Sequence, residues 1–201
     1  MKRIIAILIA ALFAVTLAAC SKSGAKNLEE LFQTVLPADE ALALAKDSEA
    51  VVFDERGRAS GKDVWDAFCA KVENQSPATV LCAHYYVLDK DHMTEEAYEK
   101  EKDEYPRLFF YLVEYDGKQF SVKTRDSASE TIDSSETFKY MLHFTGKAPS
   151  RALYSEYDNY VLVDDPSATW ESIEEGLYSS QSDAYVKHCT VYSDCIGRKE
   201  S

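Results

Sequence analysis

The chain has 201 residues, with 22 Lys and Arg against 35 Asp and Glu, a formal charge of −13. A hydrophobic content of 46% suits a folded protein rather than a disordered one, and the length fits one domain. The negative balance argues against nucleic acid as a partner, because phosphate contacts need clustered Lys and Arg.

At the N-terminus, Lys2 and Arg3 precede Ile4 to Ala19, 16 residues without a charge. The run is shorter than the roughly 20 residues a membrane-spanning helix needs, and it ends in small residues, as an export signal does. The closing Leu17-Ala18-Ala19-Cys20 resembles the lipobox of bacterial lipoproteins. That resemblance covers residues 1–20 only. It implies cleavage before Cys20, a diacylglyceryl group on the Cys20 thiol and often an acylated amine. The expected organisation is therefore a signal peptide over 1–19, a lipidated Cys20 with a short tether over 20–26, and a domain over 27–201. Loss of Lys2 and Arg3 takes the formal charge from −13 to −15. The implied location is a cell membrane or outer membrane, on its extracytoplasmic side, with the membrane itself as the first partner. Several acyl chains, each contributing about 0.8 kcal/mol per buried CH₂, anchor a domain stably.

Leu28, Leu31, Phe32 and Val35 recur at helical spacing, so residues 27–35 read as a short amphipathic helix. Pro37 opens a second over 38–47, with Asp39 and Glu40 suited to its first turn. Residues 50–53 read as a short strand closed by a turn at Gly57. Ser60-Gly61-Lys62-Asp63 resembles a capping box, ahead of a helix presenting Val64, Trp65, Phe68 and Val72. Residues 78–88 are apolar or aromatic on both alternating faces, the mark of a central strand. The acidic stretch 94–104 reads as a solvated helix capped by Thr94.

Asp116-Gly117 separates two alternating runs and predicts a two-residue hairpin turn. Such a turn pairs Tyr115 with Lys118, Val113 with Phe120 and Tyr111 with Val122, and puts these residues toward the core. The opposite face, with Leu108, Phe110 and Leu112, is half apolar, so it is either covered by another element or a contact surface. Residues 127–136 read as a polar loop, while 137–145 fits a strand or a helix face. A strand follows at 160–163, then a helix capped by Thr169 with Trp170, Ile173 and Leu177, and a last strand at 184–192. Together these predict an α+β domain, one largely antiparallel sheet of about seven strands with about four helices.

Four cysteines remain beside Cys20: Cys69, Cys82, Cys189 and Cys195. An exported chain can pair them or leave them as small hydrophobes; in one continuous strand Cys189 and Cys195 would lie about 20 Å apart. No catalytic signature, metal-ligand spacing or cofactor loop is present in the sequence. Asp89-Lys90-Asp91 opens like a calcium loop but lacks its glycine and closing Glu. Cys82 and His84 share a strand face about 7 Å apart, which suits a core histidine beside a buried thiol better than a catalytic pair. His92 and His143 show no partner.

The residual bias is aromatic, with 13 Tyr, 9 Phe and 2 Trp. Exposed aromatics serve as stacking platforms and interface anchors. The candidate interaction surface is accordingly Leu108, Phe110 and Leu112 with Tyr154, Tyr157 and Tyr160, and the expected function is a membrane-anchored binding module for an envelope protein or ligand. The alternative is a small cell-envelope hydrolase using paired carboxylates, one with a pKa raised by burial.

Overall fold

A six-stranded mixed sheet runs through the middle of the molecule, and the other elements pack on its two faces or on a second sheet laid against it. The computed structural model describes residues 27–150, 152–178 and 185–199. The signal, Cys20 and the tether lie outside the described residues.

The strands of the first sheet stand in the order β2 (Ala59–Ser60), β1 (Val51–Phe53), β3 (Ala78–Tyr86), β4 (Arg107–Tyr115), β5 (Phe120–Asp126) and β6 (Ser134–Phe138). Only β1 and β3 are parallel, and α3 (Lys62–Glu73) makes the crossover that a parallel pair requires. The second sheet, β7 (Tyr140–Lys147), β8 (Tyr154–Val163) and β9 (His188–Arg198), is antiparallel. The chain passes between sheets at Lys139, whose N–H donates to Val163 O at 3.2 Å. The remaining helices are α1 (27–33), α2 (Ala38–Lys46), α4 (Glu95–Glu101) and α5 (Trp170–Tyr178). The described residues form a single α+β domain.

Alternation along the strands assigns each side chain to a layer. On one face of the first sheet, Leu81, Ala83, Leu108, Phe110 and Leu112 meet Leu28, Leu31 and Phe32 of α1 and Ala38, Ala41 and Ala45 of α2. The alanine stripe lets α2 lie close to the strands. On the other face, Val51, Phe53, Val80, Cys82, Val113 and Val122 meet Trp65 and Phe68 of α3 and Leu162, Val191 and Tyr192 of the second sheet. Val161 and Val163, one step out of phase with Leu162, turn outward to Ile173 of α5. A bulge between β8 and β9, where Tyr160 faces Tyr192 but Val161 faces Thr190, sends both Val191 and Tyr192 into the core. The β1–β2 tip closes against β9: Gly57 O accepts from Cys195 N at 2.8 Å, and Asp194 Oδ1 accepts from Ala59 N at 3.0 Å.

Four local expectations change. The hairpin connection is four residues, with Tyr115 opposite Phe120 and Val113 opposite Val122. Asp116 Oδ1 accepts from Lys118 N and Gln119 N at 2.8 and 2.9 Å, an Asp-centred turn that competes successfully with the tighter one. The register slides by two residues, so every side chain keeps its face. There is no capping box on α3: Ser60 belongs to β2 and its hydroxyl donates to Val52 O at 3.3 Å. Gly61 caps instead with φ +75°, and a Cβ there would sit 2.8 Å from Ala50 O. The strands β8 and β9 are longer than their apolar stretches, because pairing continues through Asp158, Glu156 and Asp194. Leu177 is exposed, whereas Ile173 on the same helix is buried.

Candidate functional site

Leu108, Phe110 and Leu112 do not form a contact surface: they are at most 1% exposed, beneath α1 and α2. The polar residue opposite Phe110 is what makes this closure possible. Arg125, only 1% exposed, donates Nε to Phe32 O and Nη2 to Thr34 O, both at 2.7 Å. Its Nη1 donates to Asp126 O, Ser127 O and Ser129 O. Phe32 O and Thr34 O lie at the C-terminal end of α1, where carbonyls lack intrahelical partners, so a buried cation with five donors satisfies them. A residue that reads from sequence as the polar half of a surface is a core strut.

The three tyrosines do not share a face either. Tyr160 turns inward, with its ring 5.1 Å from Trp65 and 5.5 Å from Tyr192, while Tyr157 turns outward to Trp170 at 5.4 Å. Tyr154 has the parity of Tyr160 but lies six residues along the strand. Burial, followed by the nearby Cys195, holds its hydroxyl above the ordinary range.

A polar seam between α3 and the inner face of the second sheet brings together groups that sequence reasoning left apart. His143 Nε2 lies 2.7 Å from Asp158 Oδ1, and its ring stacks on Tyr160 at 4.0 Å and 10°. The register places His143 opposite Tyr160 and Asp158 two pairs further on, opposite Thr145, so His143 and Asp158 are diagonal neighbours on one face. Only the register reveals that pair, because 15 residues separate its members in the chain. Across the seam α3 contributes Cys69 and the exposed Lys62–Asp66 ion pair at 2.7 Å. Trp65 lies beneath, fully buried.

Burial, reinforced by the charges of Cys69 and Asp158, pushes the Tyr160 hydroxyl up to about 12. Burial likewise pushes the Cys69 thiol up to about 12, with Asp66 and Glu73 adding to the effect. A thiol held protonated in this way is a poor nucleophile at neutral pH. What the seam offers is an imidazole oriented by a carboxylate, half open to solvent above an aromatic floor, an arrangement suited to hydrogen bonding and stacking.

His84 lies in the core, 7% exposed, stacked on Phe53 at 4.2 Å and 4.7 Å from Tyr111. Burial lowers its pKa to about 4, opposed by a hydrogen bond to the Val191 backbone, and Nε2 has no partner. Burial also raises the Cys82 thiol and pushes Cys189 up to about 12. Cys69, Cys82, Cys189 and Cys195 are all free, and Cys189 and Cys195 occupy the same strand. Among the described residues, the carboxylates displaced from their ordinary range are displaced downward: Glu99 by Lys102, Asp116 by the Gln119 and Lys118 N–H groups, and Asp165 by Ser167. A general acid requires the opposite sign.

Among the described residues, no three His, Cys, Asp or Glu side chains converge as a metal ion would need. In the Asp89-Lys90-Asp91 stretch, Asp89 Oδ2 lies 3.0 Å from His92 Nδ1. Where β3 begins, a depression of about 290 Å³ has Leu28, Val64, Phe68 and Ala78 in its wall, with Glu49 and Lys71 among its polar residues. Among the described residues no helix is long and apolar enough to cross a membrane. Comparisons with protein-family models, with curated proteins and with solved structures found no match.

Proposed function

We propose that this protein is a lipid-anchored extracytoplasmic binding module, held in the membrane by acyl chains on Cys20 and engaging an envelope protein or ligand. The observation that carries the reading is the sequence Leu17-Ala18-Ala19-Cys20 at the end of an uncharged run behind Lys2 and Arg3. The His143–Asp158 pair over Tyr160 supports a contact site at the seam, since an oriented imidazole edge beside aromatic rings recognises polar, flat groups.

Metabolic labelling with an alkynyl fatty acid tests the anchor. The wild-type chain takes the label and begins at Cys20, and Cys20→Ser takes none; a label that persists in Cys20→Ser sinks the reading. Thermal unfolding of the detergent-extracted protein with envelope glycans and peptides tests the binding. A ligand at a hundred times its Kd adds about 2.7 kcal/mol, roughly 5–10 °C in Tm for a domain of this size. His143→Ala is expected to abolish that shift without lowering the Tm of the free protein by more than a degree or two.

A further inference from the structure

We infer that the domain stands on its bilayer by the end of the central sheet at which β3 begins, and carries the connection 87–106 on the opposite end, away from the lipid. The inference rests on the anchor proposed for Cys20, and it adds which surface meets the headgroups.

The direction of α1 is the first support. Near its start, Leu28 lines the same depression as Lys71, Ala78 and Thr79, at the beginning of β3. Beyond its finish, Phe32 O and Thr34 O are held by Arg125, Leu36 N donates to Ser127 O at 2.9 Å, and Ser127 N donates to Leu108 O at 2.8 Å. Leu108 pairs with Tyr85, near the end of β3. α1 therefore runs alongside β3 in the same sense, and the chain coming from Cys20 enters at the end where β3 starts. The tip of the β4–β5 hairpin lies at that end too, with Gly117 packed on Gln75 O.

Reach is the second support. Six residues, 21–26, separate Cys20 from α1. Fully extended, they span no more than about 25 Å. The nine residues of β3 carry the chain roughly 30 Å further before residue 87 begins. The tether can bring the near end to the headgroups, and the far end only if the domain lies on its side.

Charge opposes that tilted pose. Residues 87–106 hold eight Asp and Glu against three Lys, a net −5. Anionic lipid repels such a segment within a Debye length, whereas at the near end the depression holds Lys71 with Glu49 and Asp63, and the hairpin tip holds Lys118 with Asp116. The connection also stands clear of the core: neither α4 nor the 3₁₀ turns Lys90–His92 and Lys102–Glu104 contain a buried residue. Adjacent antiparallel strands need only a short turn, so this connection is long beyond what pairing requires.

The test uses the full-length lipidated chain in phosphatidylethanolamine–phosphatidylglycerol vesicles that contain a phospholipid with a diazirine on its headgroup. After irradiation, adducts are mapped by peptide mass spectrometry. Adducts over residues 71–79 and 116–119, with none above background over 87–104, are expected. Equal labelling of the two ends, stronger labelling over 87–104, or labelling of neither end overturns the orientation. Fatty-acid labelling of Cys20 is scored on the same samples. An unlabelled Cys20 removes the anchor itself, whereas a labelled Cys20 with adducts over 87–104 removes the orientation alone.

Discussion

The two faces of β4 carry similar apolar content and are closed by different means. Leu108, Phe110 and Leu112 on one face meet two short helices from residues 27–46, and the polar gap on that side is filled by Arg125. Val113 and Tyr115 on the other, with the half-buried Tyr111, meet α3 and a second sheet through an aromatic layer that also encloses His84. The first face is closed by a charge that finds acceptors, the second by a titratable ring kept neutral. A buried polar group is tolerated either by complete hydrogen bonding or by giving up its charge, and this molecule uses both solutions on opposite sides of one strand.

The largest test of that contrast is Leu108→Asp. An unpaired carboxylate beneath α1 and α2 is expected to cost as much as the whole stability of a typical domain, about 5–15 kcal/mol, leaving no cooperative unfolding transition. Phe109→Asp, one residue on and only half-buried, is expected to fold at a cost of about 1–2 kcal/mol. Equal tolerance at the two positions would mean that α1 and α2 do not cover the sheet in solution.

Arg125→Leu leaves the carbonyls of Phe32 and Thr34 without donors. Urea denaturation should register a loss of about 2–4 kcal/mol. Arg125→Lys should not restore it, because one ammonium cannot reach carbonyls on several sides as a planar guanidinium does.

On the other face, the unfolded chain protonates His84 near its ordinary pKa of about 6.5, while the folded chain resists until about pH 4. Between those values the unfolded state holds more protons, so stability falls as pH drops through that window, by up to about 3 kcal/mol. The difference in stability between wild type and His84→Leu, followed from pH 7 to pH 4, should move in favour of the variant. A constant difference would remove the neutral-histidine account.

The smallest effect belongs to neither face. Thr94 Oγ1 accepts from Ala97 N at 3.2 Å, and Thr94→Ala should weaken α4 by about 1 kcal/mol. Faster amide exchange confined to residues 95–101, with an unchanged global transition, would show that the connection opens independently of both faces.

Much of the framework is legible in the residues. The helices at 27–33, 62–73 and 170–178 follow from apolar spacing, that at 38–46 from Pro37 and the acidic first turn, and Thr94 and Thr169 cap as their positions suggest; Thr169 Oγ1 accepts from Ser172 N at 3.1 Å. The proposed contact surface failed because an apolar stripe records only that something covers it. Its cover, α1 and α2, lies more than sixty residues earlier in the chain. The seam was illegible for the same reason: His143 and Asp158 meet through a strand register, and Cys69 joins them from a helix in another layer.

The sequence by itself determined which side of each strand and helix is apolar, because side-chain direction follows the fixed periods of the backbone. It also determined that a two-residue slip in the β4–β5 hairpin leaves every residue on its own face. Only the tertiary structure decided which apolar sides met, which carbonyls Arg125 would satisfy and that His143 would rest on Asp158 and Tyr160. Those outcomes depend on contacts between residues far apart in the chain, and local periodicity carries no record of them.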